Sequence, residues 1–596
     1  MIFVGGAITM NDRKELLITD LPMVFEPRSI ISENASNSTW RAVPYKATEF
    51  SGVMLAAVGT SRPDDISFDP GLSGWYKIYV QLLGMPDQKL HIQLSSDTSY
   101  EEIESQNTRY TQIEESLWRC ADMTGESIIL SKKRFTVSAN TVLAGLRFVP
   151  MTDEEVEEYK RDSARTDTKR LFATHDMHGK LYGNFILNPS DWLSLVLPYK
   201  DSDVEWLSLE EIRIFLQGKC PCDPDDAPFQ REGDRAIQKQ IAALDYDKVL
   251  ADCVRYGHEI GLKMSVSLRM GSWGMGFPYD QCYFDVKFHD EHPELHCIDR
   301  NGDNISAMSY AFPEVRKFVI NTLINSARSG CDAVTLISHR GIPYVLFEKP
   351  VADRYFELYG EYPYDLPLDN PRLNAIHCEI MTGFFKELRE ALDNTYGKDK
   401  IRIQLRTLYS MAHSKRIGLD AEELAREGLV NDIIVYPQSF DELWTVDGVL
   451  VFNEEKGEDR IDLTKYNEYV SGEQETLLHG HGASDYGKIS SHEIKNWLPL
   501  EEKYGVKLYF EIMPRTMPPE DFKKQALQLY SLGAERFALW DTYCRVPYND
   551  MRAMIAKLGH KDELPHLDPE GTHKKHYRVL TIGNMNFGRY KPYWGG

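Results

Sequence analysis

The feature that most constrains the fold is a series of short apolar runs that alternate with amphipathic helical segments. Eight such runs occur, at 170–176, 212–217, 262–269, 333–338, 401–408, 432–436, 506–511 and 537–541. Helical periodicity separates most of them, at 246–260, 313–329, 374–393, 421–427, 491–504 and 519–532. This alternation predicts an α/β fold, a (β/α)8 TIM barrel enlarged by insertions. A doubly wound open sheet is the alternative, but no GxGxxG motif follows the first run and opens a helix.

Residues 1–150 have a different sequence pattern, in which apolar and polar residues alternate in short runs separated by turns, as at 75–83 and 89–94. Alternation with a period of two predicts antiparallel strands with one buried face, so this region is expected to form an accessory β-sandwich domain. The acidic segment 151–168 lacks a wide apolar stripe and is predicted to be a linker. The barrel is then expected to span 169–559, followed by a C-terminal tail at 560–596.

Composition excludes several classes of partner. The chain has 68 basic and 91 acidic residues, a net charge of −23, which would repel a phosphate backbone, so no nucleic-acid partner is expected. No apolar stretch reaches the roughly 18 residues that span a bilayer, so no membrane association is expected. The nine cysteines are scattered along the chain and show no zinc-site spacing, which predicts reduced thiols and a cytoplasmic protein.

Carboxylates at the ends of the predicted strands are the leading catalytic candidates. Glu511 ends the seventh run and Asp541 the eighth, while Asp176 ends the first. The carboxyl ends of barrel strands meet in one mouth, where two carboxylates at short range suit the acid/base or nucleophilic work of a glycosidase. Glu511 and Asp541 are therefore predicted as the catalytic pair, with Asp176 in reserve. The competing interpretation of each one is a salt-bridge partner for a nearby arginine.

Arginines, histidines and aromatic residues gather at the same strand ends. The candidates for substrate binding are His175, Arg269, Trp273, His339, Arg340, Arg406, Tyr436, Arg515, Trp540 and Tyr543. Aromatic rings suit the apolar face of a sugar, which makes carbohydrate the expected ligand. Guanidinium groups, including that of Arg545, would suit a carboxylated or sulfated sugar. The alternative for the arginines is internal neutralisation by the mouth carboxylates.

A metal-dependent hydrolase or lyase is a further alternative, because His175 and His178 flank Asp176. The fifth and sixth strands should then supply histidines, but they carry Arg406 and Tyr436 instead. No metal and no cofactor are therefore predicted. His479 and His481, in the insertion after the sixth run, are interpreted as ordinary loop residues.

Several segments resemble a known family. They are 288–294, 302–310, 309–316, 356–360 with Tyr362-Pro363, and 419–432. Together they are similar to the glycosyl-hydrolase-like (β/α)8 proteins of bacteria, which are related to the family-ten-like glycosyl hydrolase domain. The resemblance covers roughly residues 170–550 and implies a barrel that acts on carbohydrate.

One position departs from that family's pattern. The fourth strand of the family ends in an aspartate before an arginine, whereas Ile337 stands at the acidic position here, with Arg340, Gly341 and Pro343 retained. The sequence thus predicts a glycoside hydrolase whose acids lie on other strands, acting on an oligosaccharide or glycoside, with an acidic sugar as one option. A non-catalytic carbohydrate-binding protein on a degenerate barrel remains the other interpretation. The oligomeric state is left open and is compatible with a homo-oligomer.

Overall fold

The structure is a computed structural model. It describes residues 14–133, 139–177, 188–212, 245–271, 273, 286–339, 341–366, 370–437, 491–583 and 585–586. An N-terminal region of antiparallel sheets precedes a closed barrel of eight parallel strands. The predicted fold class, a TIM barrel with an N-terminal β-sandwich, is confirmed.

The N-terminal region forms two sheets. Its strands are β1 (Leu16–Ile18), β2 (Ile31–Ser32), β3 (Trp40–Ala47), β4 (Ser51–Ala57), β5 (Ile66–Phe68), β6 (Trp75–Leu83), β7 (Lys89–Leu94), β8 (Glu101–Glu104), β9 (Gln112–Asp122), β10 (Ile128–Ser131) and β11 (Thr141–Pro150). The smaller sheet has the order β5-β10-β7-β8, and the larger one contains β2-β3-β4-β11-β6-β9. Apolar side chains from both sheets, such as Ile78, Leu90 and Phe148, form one buried core. The alternation in sequence therefore places one face of each sheet in that core.

The barrel strands come next in the chain. They are β12 (Leu171–His175), β13 (Val204–Glu210), β14 (Lys263–Arg269), β17 (Ala333–Ile337), β18 (Arg402–Thr407), β19 (Asp432–Val435), β20 (Lys507–Glu511) and β21 (Phe537–Leu539), with a separate hairpin of β15 (His296–Ile298) and β16 (Asn304–Met308) between β14 and β17. Parallel pairing of β12 with β21 closes the barrel. Seven of the eight strands lie where the apolar runs predict them.

The predicted position of the second strand is wrong. The structure places it at Val204–Glu210, before the run at 212–217, of which 213–217 lies outside the described residues. Ser208 and Glu210 alternate with Leu207 and Leu209 in β13, and all seven residues of the strand are buried. The polar residues interrupt the apolar run that sequence analysis looked for, although the period of two was present.

The helices pack their apolar faces around the barrel. They are α1 (Asp153–Ser163), α2 (Tyr246–Glu259), α3 (Lys287–Glu291), α4 (Pro313–Ala327), α5 (Lys349–Tyr359), α6 (Pro371–Tyr396), α7 (Met411–Arg416), α8 (Ala421–Arg426), α9 (Ser491–Trp497), α10 (Pro499–Tyr504), α11 (Pro519–Ser531) and α12 (Asn549–Ile555). Short 3-10 turns cover Leu21–Met23, Arg28–Ile30, Pro189–Leu195, Leu197–Tyr199, Pro293–Leu295, Pro363–Asp365, Thr542–Cys544, Leu564–His566 and Glu570–Thr572. No helix of the described residues is both long enough and apolar enough to cross a bilayer.

The segment after the barrel returns to the N-terminal sheet. Strand β22 (Lys575–Ile582) pairs with β9 through its first half and with β3 through its second, and β23 (Met585–Asn586) follows it. The helix α1, inside the predicted linker, begins with a capping box between Thr152 and Glu155. The domain boundaries themselves stay a prediction.

Polar contacts hold the sandwich against the last helix of the barrel. Arg552 on α12 forms a salt bridge with Glu101 on β8. Tyr548 donates a hydrogen bond to Glu104 at 3.0 Å, and Asn549 bonds Ser116 on β9 at 2.9 Å. These contacts join strands β8 and β9 of the sandwich to α12 and the residue before it.

Candidate active site

The candidate site lies at the carboxyl ends of the barrel strands, and strand alternation explains which side chains reach it. Phe172, Trp206, Ala333, Ile434, Tyr509 and Ala538 form one buried cluster low in the barrel. Counting two or four residues further along the same strands leads to Thr174, Glu210, Ile337, Tyr436, Glu511 and Trp540. Because side chains of a strand alternate between its two faces, these residues also point into the barrel. The predicted site residues on barrel strands therefore share one face.

Glu511 is enclosed by protein donors. Its Oε2 accepts a hydrogen bond from Arg406, and its Oε1 accepts one from the backbone N–H of Trp540. Arg545 places its Nη2 3.8 Å from the same Oε1. The side chains of Glu511, Arg406 and Arg545 all have 0% exposure. Both carboxylate oxygens are thus engaged within the protein.

Asp541 occupies a different environment just after β21. Its backbone has φ 50 and ψ 53, in the left-handed region that non-glycine residues seldom adopt. Its Oδ2 forms a salt bridge of 2.7 Å with Nη2 of Arg515, whose side chain is 16% exposed. Left-handed backbone at a strand end is a local strain that functional sites often retain. Asp541 is therefore a paired carboxylate next to a partly open part of the mouth.

Asp176 is joined by a carboxyl group that sequence analysis did not identify, that of Glu210. Nη2 of Arg269 lies 2.7 Å from Asp176 Oδ2, and Nε of Arg269 lies 2.5 Å from Glu210 Oε1. Nη2 of Arg269 also lies 3.3 Å from Glu210 Oε2, so one nitrogen contacts both carboxyl groups. Burial raises the pKa of Glu210 well above its usual value, the charge of Arg269 opposes this rise, and the nearby Asp176 and Asp541 add to it.

Each predicted mouth arginine that the structure describes contacts a mouth carboxylate. Arg269 contacts Asp176 and Glu210, Arg406 and Arg545 contact Glu511, and Arg515 contacts Asp541. Arg340 lies outside the described residues. These contacts correspond to the internal-neutralisation interpretation of the arginines. An anionic ligand would have to compete with these carboxylates for the guanidinium groups.

Aromatic rings line the interior beside Glu511. The His339 ring stacks on Tyr436 with ring centroids 3.9 Å apart and meets Trp540 edge-on at 4.9 Å. The guanidinium carbon of Arg406 lies 4.9 Å from the Trp540 ring. Since His339, Tyr436 and Trp540 each have 0% exposure, they pack as a layer beneath the mouth. A ligand would reach them only after that layer opened.

His175 and Tyr543 lie closer to Asp176. His175 Nε2 is 3.0 Å from the hydroxyl of Tyr199, which donates a hydrogen bond to Thr542 at 2.5 Å. The His175 ring also stacks against Tyr543 with centroids 6.4 Å apart. Tyr543 is half-buried, and the charges of Asp541 and Asp176 act on its hydroxyl. Tyr543 is thus a predicted aromatic residue within the electrostatic reach of both carboxylates.

Trp273 is placed elsewhere. Its ring is 3% exposed and packs against Phe318 on α4, with centroids 5.8 Å apart. It belongs to the large core between barrel and helices. The structure does not bring Trp273 together with the other predicted binding residues.

Metal ligands are not clustered in the part of the chain that the structure describes, where no three His, Cys, Asp or Glu side chains could hold one ion. His178, His479 and His481 lie outside the described residues. The contacts of His175 with Tyr199 and Tyr543 account for its position without a metal.

The spacing of residues along β13 is a sequence feature that identifies Glu210 as a mouth residue. Glu210 follows Trp206 and Ser208 at a spacing of two and so falls on the inward face, but β13 had been predicted at 212–217. Placing the second strand at 204–210 would have put this carboxyl in the mouth. The misplaced strand is therefore the reason that Glu210 was missed.

No protein-family model and no curated protein sequence matches this chain. Among solved structures, the chain is similar to the catalytic domain of a beta-amylase from Paenibacillus polymyxa, at 10% identity and a TM-score of 0.39 over 67% of this chain and 99% of that one. It is also similar to the PgaB (BpsB) glycoside hydrolase domain from Bordetella bronchiseptica, at 10% identity and 0.36 over 65% and 98%. A beta-galactosidase from Marinomonas ef1 gives 11% identity and 0.36 over 67% and 61%. Similarity at this level assigns neither a substrate nor a catalytic residue.

Proposed function

We propose that this protein is a glycoside hydrolase that cleaves an O-glycosidic bond of an oligosaccharide or glycoside at the barrel mouth. The observation that supports it is a set of carboxyl groups in two different environments. Asp541 is paired with Arg515 at 2.7 Å, whereas Asp176 shares its arginine, Arg269, with a second carboxyl group, that of Glu210. A glycosidase needs one carboxylate and one carboxylic acid on the two sides of the scissile bond.

The contacts suggest a role for each carboxyl group. Asp541, in its salt bridge, would act as nucleophile or general base, and Asp176 would donate a proton to the leaving oxygen. The sequence prediction paired Asp541 with Glu511, and that pairing remains a candidate. The enclosure of Glu511 by Arg406, Arg545 and the Trp540 N–H favours a positioning role, because both of its oxygens already accept from the protein.

The test is a screen of neutral and acidic aryl glycosides and oligosaccharides with wild type and Asp541→Asn. If Asp541 is the nucleophile or general base, its replacement by asparagine should lower kcat by about a hundredfold or more. Asp432→Asn is a matched control, because Asp432 is also buried and bonded to an arginine, Arg402, at 2.7 Å, but at the opposite end of the barrel. Equal activities of wild type and Asp541→Asn would refute the assignment.

The same panel addresses the charge of the sugar. An acidic sugar was one option from sequence, and it would be supported if Arg515→Gln or Arg269→Gln lost activity only on anionic substrates. Because both arginines contact carboxylates of the chain, we expect equal losses on neutral and acidic glycosides.

A carbohydrate-binding protein without turnover is the second candidate. Two observations favour it: the commitment of both Glu511 oxygens to protein donors, and Ile337 at the fourth strand. Equilibrium binding of an oligosaccharide, with no product over long incubation, would support this candidate against the hydrolase.

A cytoplasmic location is part of the proposal. It is supported by the described cysteines, none of which forms a disulfide: Cys120, Cys253, Cys297, Cys331, Cys378 and Cys544. Fractionation of the producing cells, followed by immunodetection, would test it.

A further inference from the structure

Glu210 and Asp176 are held together by one guanidinium group. Nη2 of Arg269 is 2.7 Å from Asp176 Oδ2 and 3.3 Å from Glu210 Oε2, while its Nε is 2.5 Å from Glu210 Oε1. Since one nitrogen contacts an oxygen of each carboxyl group, the two groups are close neighbours. One guanidinium charge cannot neutralise two carboxylates, so repulsion between like charges in this enclosed place favours a proton on one of them.

We propose that Glu210 and Asp176 hold one proton between them, and that Glu210 is the positioning residue that keeps this proton available on Asp176. This inference rests on the proposed function, because it assigns the source of the proton that the leaving group takes. The Asp176 side chain is 14% exposed and that of Glu210 only 1%, so Asp176 is the member of the pair that a substrate can reach.

The groups around Glu210 are consistent with a retained proton. The charged side chains that face it come from three neighbouring strand ends: Asp176 after β12, Arg269 on β14 and Asp541 after β21. Burial disfavours the charged form of Glu210, and the two acidic neighbours act in the same direction. Arg269 acts in the opposite direction, and its contact with both carboxyl groups fixes their geometry. Such a pair titrates as a unit, with one proton lost at a raised pH.

The reaction step then balances without any other reactant than water. The shared proton moves from Asp176 to the glycosidic oxygen as the bond between that oxygen and the anomeric carbon breaks. Water supplies a hydroxyl group to the anomeric carbon, and its remaining proton returns to the pair. Glu210 does not contact substrate in this scheme and acts only through Asp176.

The first experiment is the pH dependence of kcat/KM in Glu210→Gln. Without its acidic neighbour, Asp176 beside Arg269 should lose its proton at lower pH, so the basic limb of the profile should move to lower pH. A displacement of one pH unit lowers the protonated fraction, and hence the rate on that limb, about tenfold. A role in folding alone would lower kcat at every pH without moving the limb.

Glu211→Gln is the matched control. Glu211 is the next residue, is also fully buried, and accepts a hydrogen bond from Ser326 on α4 at 2.5 Å, away from the mouth. Glu211→Gln should show the same basic limb of the kcat/KM profile as wild type. Superimposable profiles of wild type and Glu210→Gln would overturn the proposal.

The second experiment needs no turnover. Infrared difference spectra at pH 7 should show a protonated carboxyl signal that wild type and Glu211→Gln share and that Glu210→Gln lacks. If that signal is found while no sugar is hydrolysed, the shared proton stands and the proposed function fails. If wild type and Glu210→Gln give the same carboxyl signal, the shared proton is refuted, whatever the outcome of the sugar screen.

Discussion

The ion pair of Arg406 and Glu511 allows a quantitative test of what holds the mouth together. Both side chains have 0% exposure, and Arg406 also donates a hydrogen bond to Thr174 on β12 at 2.8 Å. The pair therefore connects β18, β20 and β12 across the barrel. Replacing Glu511 by Met removes the carboxylate and leaves the guanidinium group buried.

The expected cost follows from that burial. Removing one partner of a buried pair leaves an uncompensated charge and costs about 3–5 kcal/mol, whereas replacing both partners by apolar residues of similar size is close to neutral. Glu511→Met should thus lower the free energy of unfolding by about 3–5 kcal/mol. The double variant Glu511→Met/Arg406→Met should recover part of that loss, since Arg406 no longer leaves a charge, whereas the buried guanidinium group of Arg545 stays without Glu511.

Equilibrium urea unfolding of the whole chain, followed by far-ultraviolet circular dichroism, measures these differences. Wild type, both single variants and the double variant complete a thermodynamic cycle. The reasoning would be refuted if Glu511→Met lost less than about 1 kcal/mol, or if the double variant were no more stable than the weaker single variant. The first result would mean that solvent reaches Arg406, and the second that removing its charge does not relieve the loss.

Two further predictions concern backbone packing and pH. Gly271→Ala should prevent folding or lower soluble yield severely, because a Cβ there would lie 1.6 Å from a backbone carbonyl oxygen. Gly383→Ala, on helix α6, has nothing within 4 Å of the added Cβ and should raise the free energy of unfolding by up to about 1 kcal/mol. Burial lowers the pKa of His560, but its hydrogen bonds to Asp162 and Asp203 outweigh this and raise that pKa to about 9. Because this value exceeds that of the unfolded chain, about 6.5, His560 stabilises fully below that pH and its contribution is lost as the pH rises through 9. Unfolding free energies between pH 6 and 10 should show this loss in wild type and not in His560→Gln.

Local pattern was sufficient to predict most of the architecture. Seven barrel strands and the helices between them follow from periodicity, as with β18 at Arg402–Thr407 and α4 at Pro313–Ala327. Proline interrupts a helix as its missing N–H predicts, since Pro499 divides the predicted helix 491–504 into α9 and α10. These features depend on residues close in sequence, so the sequence contains the information needed to predict them.

The pairing of charges in the mouth depends on contacts between distant strands. Glu511 meets Arg406 across 105 residues, and Asp176 meets Arg269 across 93. The positions of all four side chains at or near strand ends follow from local sequence, but the choice of the carboxylate that arginines enclose does not. That outcome depends on how β21 pairs with β12 and β20 when the barrel closes. The distinction between Glu511 and Asp541 therefore required the structure.

The one misplaced strand and the one missed carboxyl group have the same physical origin. A barrel strand that only fills a core presents apolar residues inward, but β13 presents Ser208 and Glu210. Burying a carboxyl group costs free energy unless it is paired or protonated, and Glu210 is in contact with Arg269, which also contacts Asp176. Residues that depart from the usual pattern of burial occur most often at functional sites, where activity is retained at a cost in stability. The departure of β13 from an apolar pattern therefore argues that this strand contributes to the proposed reaction as well as to the barrel.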